Sequence, residues 1–203
     1  IPRPIEHHPA LPPEAPPFRI VYIGRLSSRK GQLALDLIRA VREVARAGHA
    51  VELTILGDGS LLRAVRREAR ASEGAMPPPR VLGRVLEPLA HLRQAHVVVG
   101  AGYAALEAAM CGAAVIGAGF KGYGPVDRES ALHARGCNFG DTGCDWSPTP
   151  ENFRAALERL IAAWRDPVER ERYWRLDRVL APIHAIPAVA AQLEALYREA
   201  LAG

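Results

Sequence analysis

The sequence predicts a doubly wound parallel α/β domain, and three observations carry that prediction. Short apolar runs recur from Phe18 onward, a helical segment follows each, and a glycine stands just after each run: Gly24, Gly57, Gly83, Gly100 and Gly117. Apolar runs of this kind read as strands buried on both faces, and alternation with helices makes neighbouring strands parallel. Such a sheet binds its ligand beyond the carboxyl ends of the strands, where glycine lets backbone come close.

Each element follows in order. Residues 1–17 carry seven prolines, which forbid regular structure and give an extended linker. Phe18–Ile23 is the first strand, and an amphipathic helix runs from about Gly31 to Ala47. Val51–Leu56 is the second strand, followed by Gly57-Asp58-Gly59 and a helix to about Ala71. Val81-Leu82 makes a third strand, Glu87–Gln94 a short helix, His96–Val99 a fourth strand, Tyr103–Cys111 a helix and Ala113–Ile116 a fifth strand. From Gly119 to about Ser147 the chain is polar and glycine-rich. Beyond it, helices are expected over Glu151–Trp164, Val168–Leu180 and His184–Ala202. The last sets Ile186, Val189, Ala190, Leu193, Leu196 and Tyr197 on one stripe, which needs a surface to cover.

Composition narrows the function classes. The 203 residues suffice for one substantial core, and the formal charge is +4. The only lysines are Lys30 and Lys121, so the basicity is almost wholly arginine, whose planar fork suits phosphate and carboxylate. Arg63, Arg66, Arg67 and Arg70 alternate with Leu62, Val65 and Ala69 as the wet face of a helix. No aromatic residues interleave them, so no nucleic-acid partner is expected. The apolar stretch Val97–Phe120 is interrupted by Glu107 and five glycines, which argues for buried strands and a helix rather than a membrane span. Cys111, Cys137 and Cys144 do not form a disulfide framework, which favours a reducing cytoplasm. The spacing of His133, Cys137 and Cys144 fits no zinc motif. No signal peptide opens the chain, and its start at Ile1 rather than Met suggests a longer polypeptide.

Three segments carry candidate chemistry. Gly24-Arg25-Leu26-Ser27-Ser28-Arg29-Lys30-Gly31 puts three cations at a helix start, where free amides and the helix dipole favour a phosphate. Gly100-Ala101-Gly102-Tyr103 turns into the next helix and offers a second set of amides. One turn on, Glu107 is placed to accept hydrogen bonds from a vicinal diol such as ribose. Gly117–Gly124, with Lys121, is placed to wrap a diphosphate or a sugar. Gly100-x-Gly102-x-x-Ala105 also satisfies the dinucleotide fingerprint. Its required acid is missing, however, since none follows the next strand before Asp127.

Taken together these residues resemble glycosyltransferase family 4. Ile20-Val21-Tyr22-Ile23-Gly24-Arg25-Leu26 with Lys30-Gly31 is similar to the "G-R-L…K-G" opening of that family's C-terminal domain. Leu53–Gly59 resembles its "L-x-I-x-G-x-G", Val81–Val85 its "V-x-F-x-G-x-V", and Glu107–Ile116 its "E-A-M-A-C-G-x-P-V-I". Ile1-Pro2-Arg3-Pro4 is similar to the family's interdomain "I-P-N-P". The resemblance implies the Rossmann-like C-terminal half of a GT-B fold. Residues 18–180 would bind the nucleotide sugar, and residues 181–203 would form a helix bracing a missing N-terminal domain. It implies a hexosyltransferase-like enzyme that moves a sugar from a UDP-, GDP- or ADP-linked donor to an unknown acceptor. The configuration would be retained, with no obligatory cofactor or metal.

Residue by residue, the resemblance implies that Arg25 and Lys30 bind the donor diphosphate and stabilise the leaving group. Glu107 holds the ribose; Gly83, Arg84 and Val85 contact the base; and Gly24, Gly57, Gly100, Gly102 and Tyr103 line the donor. This chain alone would bind donor and transfer nothing, in the cytoplasm or at the inner face of the membrane, with membrane contact only through the missing half. Two departures stand out: Val99 where the family commonly has a glutamate near the donor sugar, eight positions before Glu107, and Ala114 for its proline. Lys121 and its glycine loop are the candidate replacement. Val99 also keeps open a non-catalytic sugar-nucleotide-binding subunit, and the fold admits a sugar-nucleotide epimerase.

Overall fold

A computed structural model describes residues 2, 4–7, 9–71, 74 and 76–202. Its sheet contains β1 (Phe18–Ile23), β2 (Val51–Leu56), β3 (Arg80–Gly83), β4 (Val97–Gly100), β5 (Ala114–Gly117) and β6 (Gly124–Val126). The order is β3-β2-β1-β4-β5-β6, parallel except for the antiparallel edge strand β6. The direction of winding reverses between β1 and β4, and this opens a crevice where their carboxyl ends part. All five expected strands are present. β6 was not foreseen, because Gly124-Pro125-Val126 has no strand signature and proline is tolerated only at an edge.

Helices cover both faces. They are α1 (Ser28–Arg46), α2 (Leu62–Arg70), α3 (Leu89–Leu92), α4 (Gly102–Met110), α5 (Ala131–Gly136), α6 (Pro150–Arg165), α7 (Pro167–Tyr173), α8 (Asp177–His184) and α9 (Ile186–Ala202). In α1 the residues Leu33, Leu37, Ile38, Val41 and Val44 recur at helical spacing and are buried against the sheet and α6. Thr149 starts α6 by accepting the Asn152 amide, with Pro150 at its first position. On the opposite face α4 and α8, with Leu176 just before α8, bury Leu106, Met110, Leu176 and Leu180. The four α2 arginines are exposed, as their pattern indicates.

The helix expected over Val168–Leu180 is two helices, and the break has a packing cause. Trp174 belongs to the core on the α1 face and donates its indole N–H to the His96 carbonyl at 2.7 Å, whereas Leu176 and Leu180 belong to the core on the α4 face. One straight helix cannot serve both faces, so the chain turns between Tyr173 and Asp177. The polar, glycine-rich segment after Gly119 also folds, into β6, α5 and a 3₁₀ turn at Asn138–Gly140.

That turn corrects the reading of the cysteines. Asn138 and Phe139 both have φ of 54°, and the reversal brings Cys137 and Cys144 to a Cα separation of 6.5 Å, where they form a disulfide. Their seven-residue spacing matches no framework motif; left-handed backbone between them is what makes the pairing possible. The expected reducing cytoplasm rested on cysteines that form no disulfide framework, and the Cys137–Cys144 bond removes that ground; Cys111 is the free, buried thiol. No helix among the described residues is long and apolar enough to cross a membrane.

The proline-rich start is extended and lies along the body. Ile5 is buried; its amide donates to the His184 carbonyl at 2.8 Å, and its carbonyl accepts the Ile186 amide at 3.2 Å. The Ala10 amide donates to the Cys111 carbonyl at 3.0 Å. Ile1, Arg3 and His8 of this segment, and Gly203 at the other end, lie outside the described residues. In α9 only Val189 of the expected stripe is buried; Ile186, Leu196 and Tyr197 are exposed.

Candidate functional site

The crevice between β1 and β4 is framed by two helix starts. Ser27 before α1 and Ala101 before α4 make no side-chain cap bond, so the first amides of both helices are left to water or a ligand. β4 reaches α4 through Ala101 alone, and two glycines make so short a turn possible. A Cβ on Gly100 would stand 2.8 Å from the Ile23 carbonyl oxygen, and Gly102 has φ of +65°.

Three cavities adjoin this crevice. The first, about 530 Å³, brings together Gly24, Arg25, Gly57, Asp58, Arg84 and Val85. Arg25 and Arg84 are both exposed there. Hydrogen bonds from each loop to the end of the next strand hold the wall: the Gly24 amide donates to the Leu56 carbonyl at 3.1 Å, and the Gly57 amide donates to the Gly83 carbonyl at 2.8 Å. The second cavity, about 190 Å³, meets the first at Pro88 and contains Glu107 with Tyr103, Leu89, Leu92 and residues of the N-terminal segment. The third, about 530 Å³, shares Tyr103 with the second and is lined by Gly102, Arg135, Asn138 and His184.

Glu107 is the distinctive group. It lies half-buried in the second turn of α4, and its carboxylate has no hydrogen-bond or ion-pair partner among the described residues. Burial pushes its pKa above the ordinary carboxylate value, because the charged form gives up solvation and gains nothing in return. Tyr103, beside it, donates its hydroxyl to the Pro4 carbonyl at 3.2 Å.

Lys30 is placed differently from the other expected ligands and lines none of the three cavities. Its ammonium donates to Asp141 Oδ1 at 2.6 Å and lies 4.7 Å above the centre of the Phe120 ring. From below, the buried Tyr22 hydroxyl donates to the Lys30 carbonyl at 2.7 Å. Burial first, and the Asp141 charge second, drive the Tyr22 pKa upward. Lys121 is exposed and lines none of the cavities; its backbone amide donates to the Gly140 carbonyl.

Val99 is fully buried, paired in register with Tyr22 and Ile116 inside the sheet. The position eight before Glu107 is therefore core in this chain rather than a loop position open to ligand. Arg135, Asn138 and Asp141 escaped the sequence reading altogether. Arg135 donates from Nε to His184 Nε2 at 2.6 Å, and Asn138 donates to Asp141 Oδ2 at 3.4 Å. The available signal was turn chemistry, in the run Asn138-Phe139-Gly140-Asp141. Among the described residues no cluster of side chains is arranged to hold a metal ion.

The family model described as glycosyl transferases group 1 matches residues 17–163. No curated protein matches the chain. Among solved structures, the C-terminal domain of LpcC, a glycosyl transferase group 1 family protein from Francisella tularensis, is similar with a TM-score of 0.62 and 17% identity, over 89% of this chain and 96% of that one. Anabaena HepE in complex with UDP and glucose is similar with a TM-score of 0.60 and 15% identity, over 91% of this chain and 49% of that one. A mutant of S. aureus TarM, in complex with Fondaparinux, alpha-GlcNAc-glycerol and UDP, gives 0.63 and 15% over 95% of this chain and 37% of that one. The chain thus spans half or less of the length of the last two proteins. At these identities the likeness is one of fold.

Proposed function

The chain belongs to the glycosyl transferases group 1 family, and from that premise we propose that it is the donor-binding half of an enzyme that moves a sugar from a nucleoside diphosphate to an acceptor. The Glu107 carboxylate, without a partner among the described residues, carries this reading. A half-buried acid held without a partner costs stability, and the vicinal hydroxyls of a ribose would supply its missing hydrogen bonds. The adjoining cavity with Arg25, Arg84 and Val85 takes the base and the start of the pyrophosphate. The amides of Gly102 and Tyr103, with Lys30, take the rest. UDP is the first donor nucleotide to try, since HepE and TarM were seen with it.

In the transfer, the bond from the anomeric carbon to the phosphate oxygen breaks and its electron pair leaves with the diphosphate. The acceptor oxygen bonds to that carbon, and its proton passes to the oxygen of the departing diphosphate. Arg25, Lys30 and the α4 amides neutralise the charge gathering on the leaving group, and such interactions count toward rate because they strengthen as the charge develops. We assign a retained configuration and no obligatory metal. The acceptor belongs to an N-terminal domain outside this chain, and the uncovered face of α9 (Leu196, Tyr197) is suited to brace it. Residues 1–17 serve as the link between the halves.

Calorimetric titration of the chain with UDP, GDP and ADP, and with their sugar conjugates, tests the reading. One nucleoside diphosphate is expected to bind, and Arg25→Ala is expected to weaken it about tenfold or more, the worth of a lost charge-assisted contact. Equal indifference of wild type to all three would remove the proposal.

A further inference from the structure

Asp141 is an acid whose charge opposes the chemistry assigned to its neighbour Lys30. Its Oδ1 holds Lys30 at 2.6 Å, and both side chains are largely covered, at 14% and 20% exposure. Its Oδ2 accepts from Asn138 at 3.4 Å. Asn138 in turn packs against the start of α4, where a Cβ on Gly102 would stand 3.4 Å from its side-chain nitrogen. The carboxylate therefore lies between Lys30 and the α4 start, the two groups proposed above to hold the pyrophosphate.

This placement is rigidly held. The Cys137–Cys144 bond closes the loop, Asn138 and Phe139 reverse it through left-handed backbone, and the Gly140 carbonyl accepts the Lys121 and Gly122 amides, each at 2.9 Å. A fixed carboxylate beside a bound diphosphate has two opposite effects. It repels phosphate charge, and it accepts hydrogen bonds from hydroxyl groups. Free nucleoside diphosphate ends in a terminal phosphate, which ionises a second time near neutral pH; in the sugar conjugate one of its oxygens is esterified and that second charge is lost. The conjugate also brings hydroxyls to the same end.

We infer that Asp141 is a specificity-determining residue that turns the site toward the sugar conjugate and against the spent nucleoside diphosphate. The inference rests on the reading that Lys30 meets the donor diphosphate. It gives the acid a role in product release as well as in donor choice, because the charge left on the diphosphate after transfer is the charge that Asp141 disfavours.

The test titrates wild type, Asp141→Asn and Asp141→Glu with UDP, GDP and ADP and with the corresponding glucose conjugates, at low and at high salt. For the nucleotide that binds, Asp141→Asn is expected to tighten the free diphosphate about tenfold while leaving the conjugate unchanged or weaker. Asp141→Glu, which keeps the charge, retains the wild-type preference, and high salt narrows that preference in wild type. A merely structural role moves both ligands the same way by the same factor, and that outcome overturns the inference while leaving the donor-binding reading intact. Failure of wild type to bind any of the six ligands overturns both.

Discussion

The two ends of the sheet treat their polar groups in opposite ways. At the amino end the polar groups of His96 are satisfied. The ring Nδ1 accepts the Arg19 amide at 2.9 Å, which leaves Nε2 as the protonated nitrogen donating to the Pro13 carbonyl at 2.9 Å. The Trp174 indole donates to the His96 carbonyl, and the Arg170 guanidinium lies 4.3 Å over the Trp164 ring while donating to that residue's own carbonyl. At the carboxyl end, Arg25 and Arg84 are exposed, two helix starts are uncapped, and Glu107 is half-buried without a partner among the described residues. The closed end holds the fold together. The open end is left incomplete in a way that a ligand can finish.

Three measurements bear on that contrast, in descending size. Trp174→Ala should lower stability by about 3–5 kcal/mol in urea unfolding, the usual cost of emptying a buried aromatic site. Nucleotide affinity per folded molecule should hardly change, and a matching loss of affinity would break the division between the ends. Next comes acid. Burial depresses the His96 pKa to about 4, so the folded state binds fewer protons than the unfolded one. Stability should accordingly be full above the ordinary histidine value of about 6.5 and decline on the order of 3 kcal/mol as the pH falls toward 4. His96→Gln should flatten that profile.

The smallest expected effect has the opposite sign. Burial raises the Glu107 pKa, so the folded state binds more protons than the unfolded one, and stability falls as the pH rises through the folded value. Glu107→Gln should therefore melt slightly higher than wild type at neutral pH, with the gap closing in weak acid, while its nucleotide affinity drops. Wild-type affinity should fall over the same acid range as the carboxylate is protonated. A variant both less stable and weaker in binding would class Glu107 with the closed end.

Much of the open end was legible in the sequence because its parts are local. Gly24-Arg25, Gly100-x-Gly102 and Glu107 each belong to one strand–turn–helix step, and their spacing dictates where they emerge. The break between α7 and α8 was not legible. A continuous helical pattern does not disclose that Trp174 and Leu176 pack on opposite faces of the sheet. Nor does spacing disclose that Cys137 and Cys144 meet, since that depends on left-handed backbone at two residues other than glycine.

The sequence by itself determined the five parallel strands, the helices between them and the end of the sheet where the glycine turns and helix starts gather. Periodicity, helix starts and glycine turns act over a few residues and are written locally. Only the tertiary structure decided that Lys30 is held by Asp141 rather than free, that Val99 is core, and that Glu107 has no partner among the described residues. Lys30 and Asp141 are 111 positions apart. A pair so distant is joined by the packing of whole elements, and no residue near either one announces it.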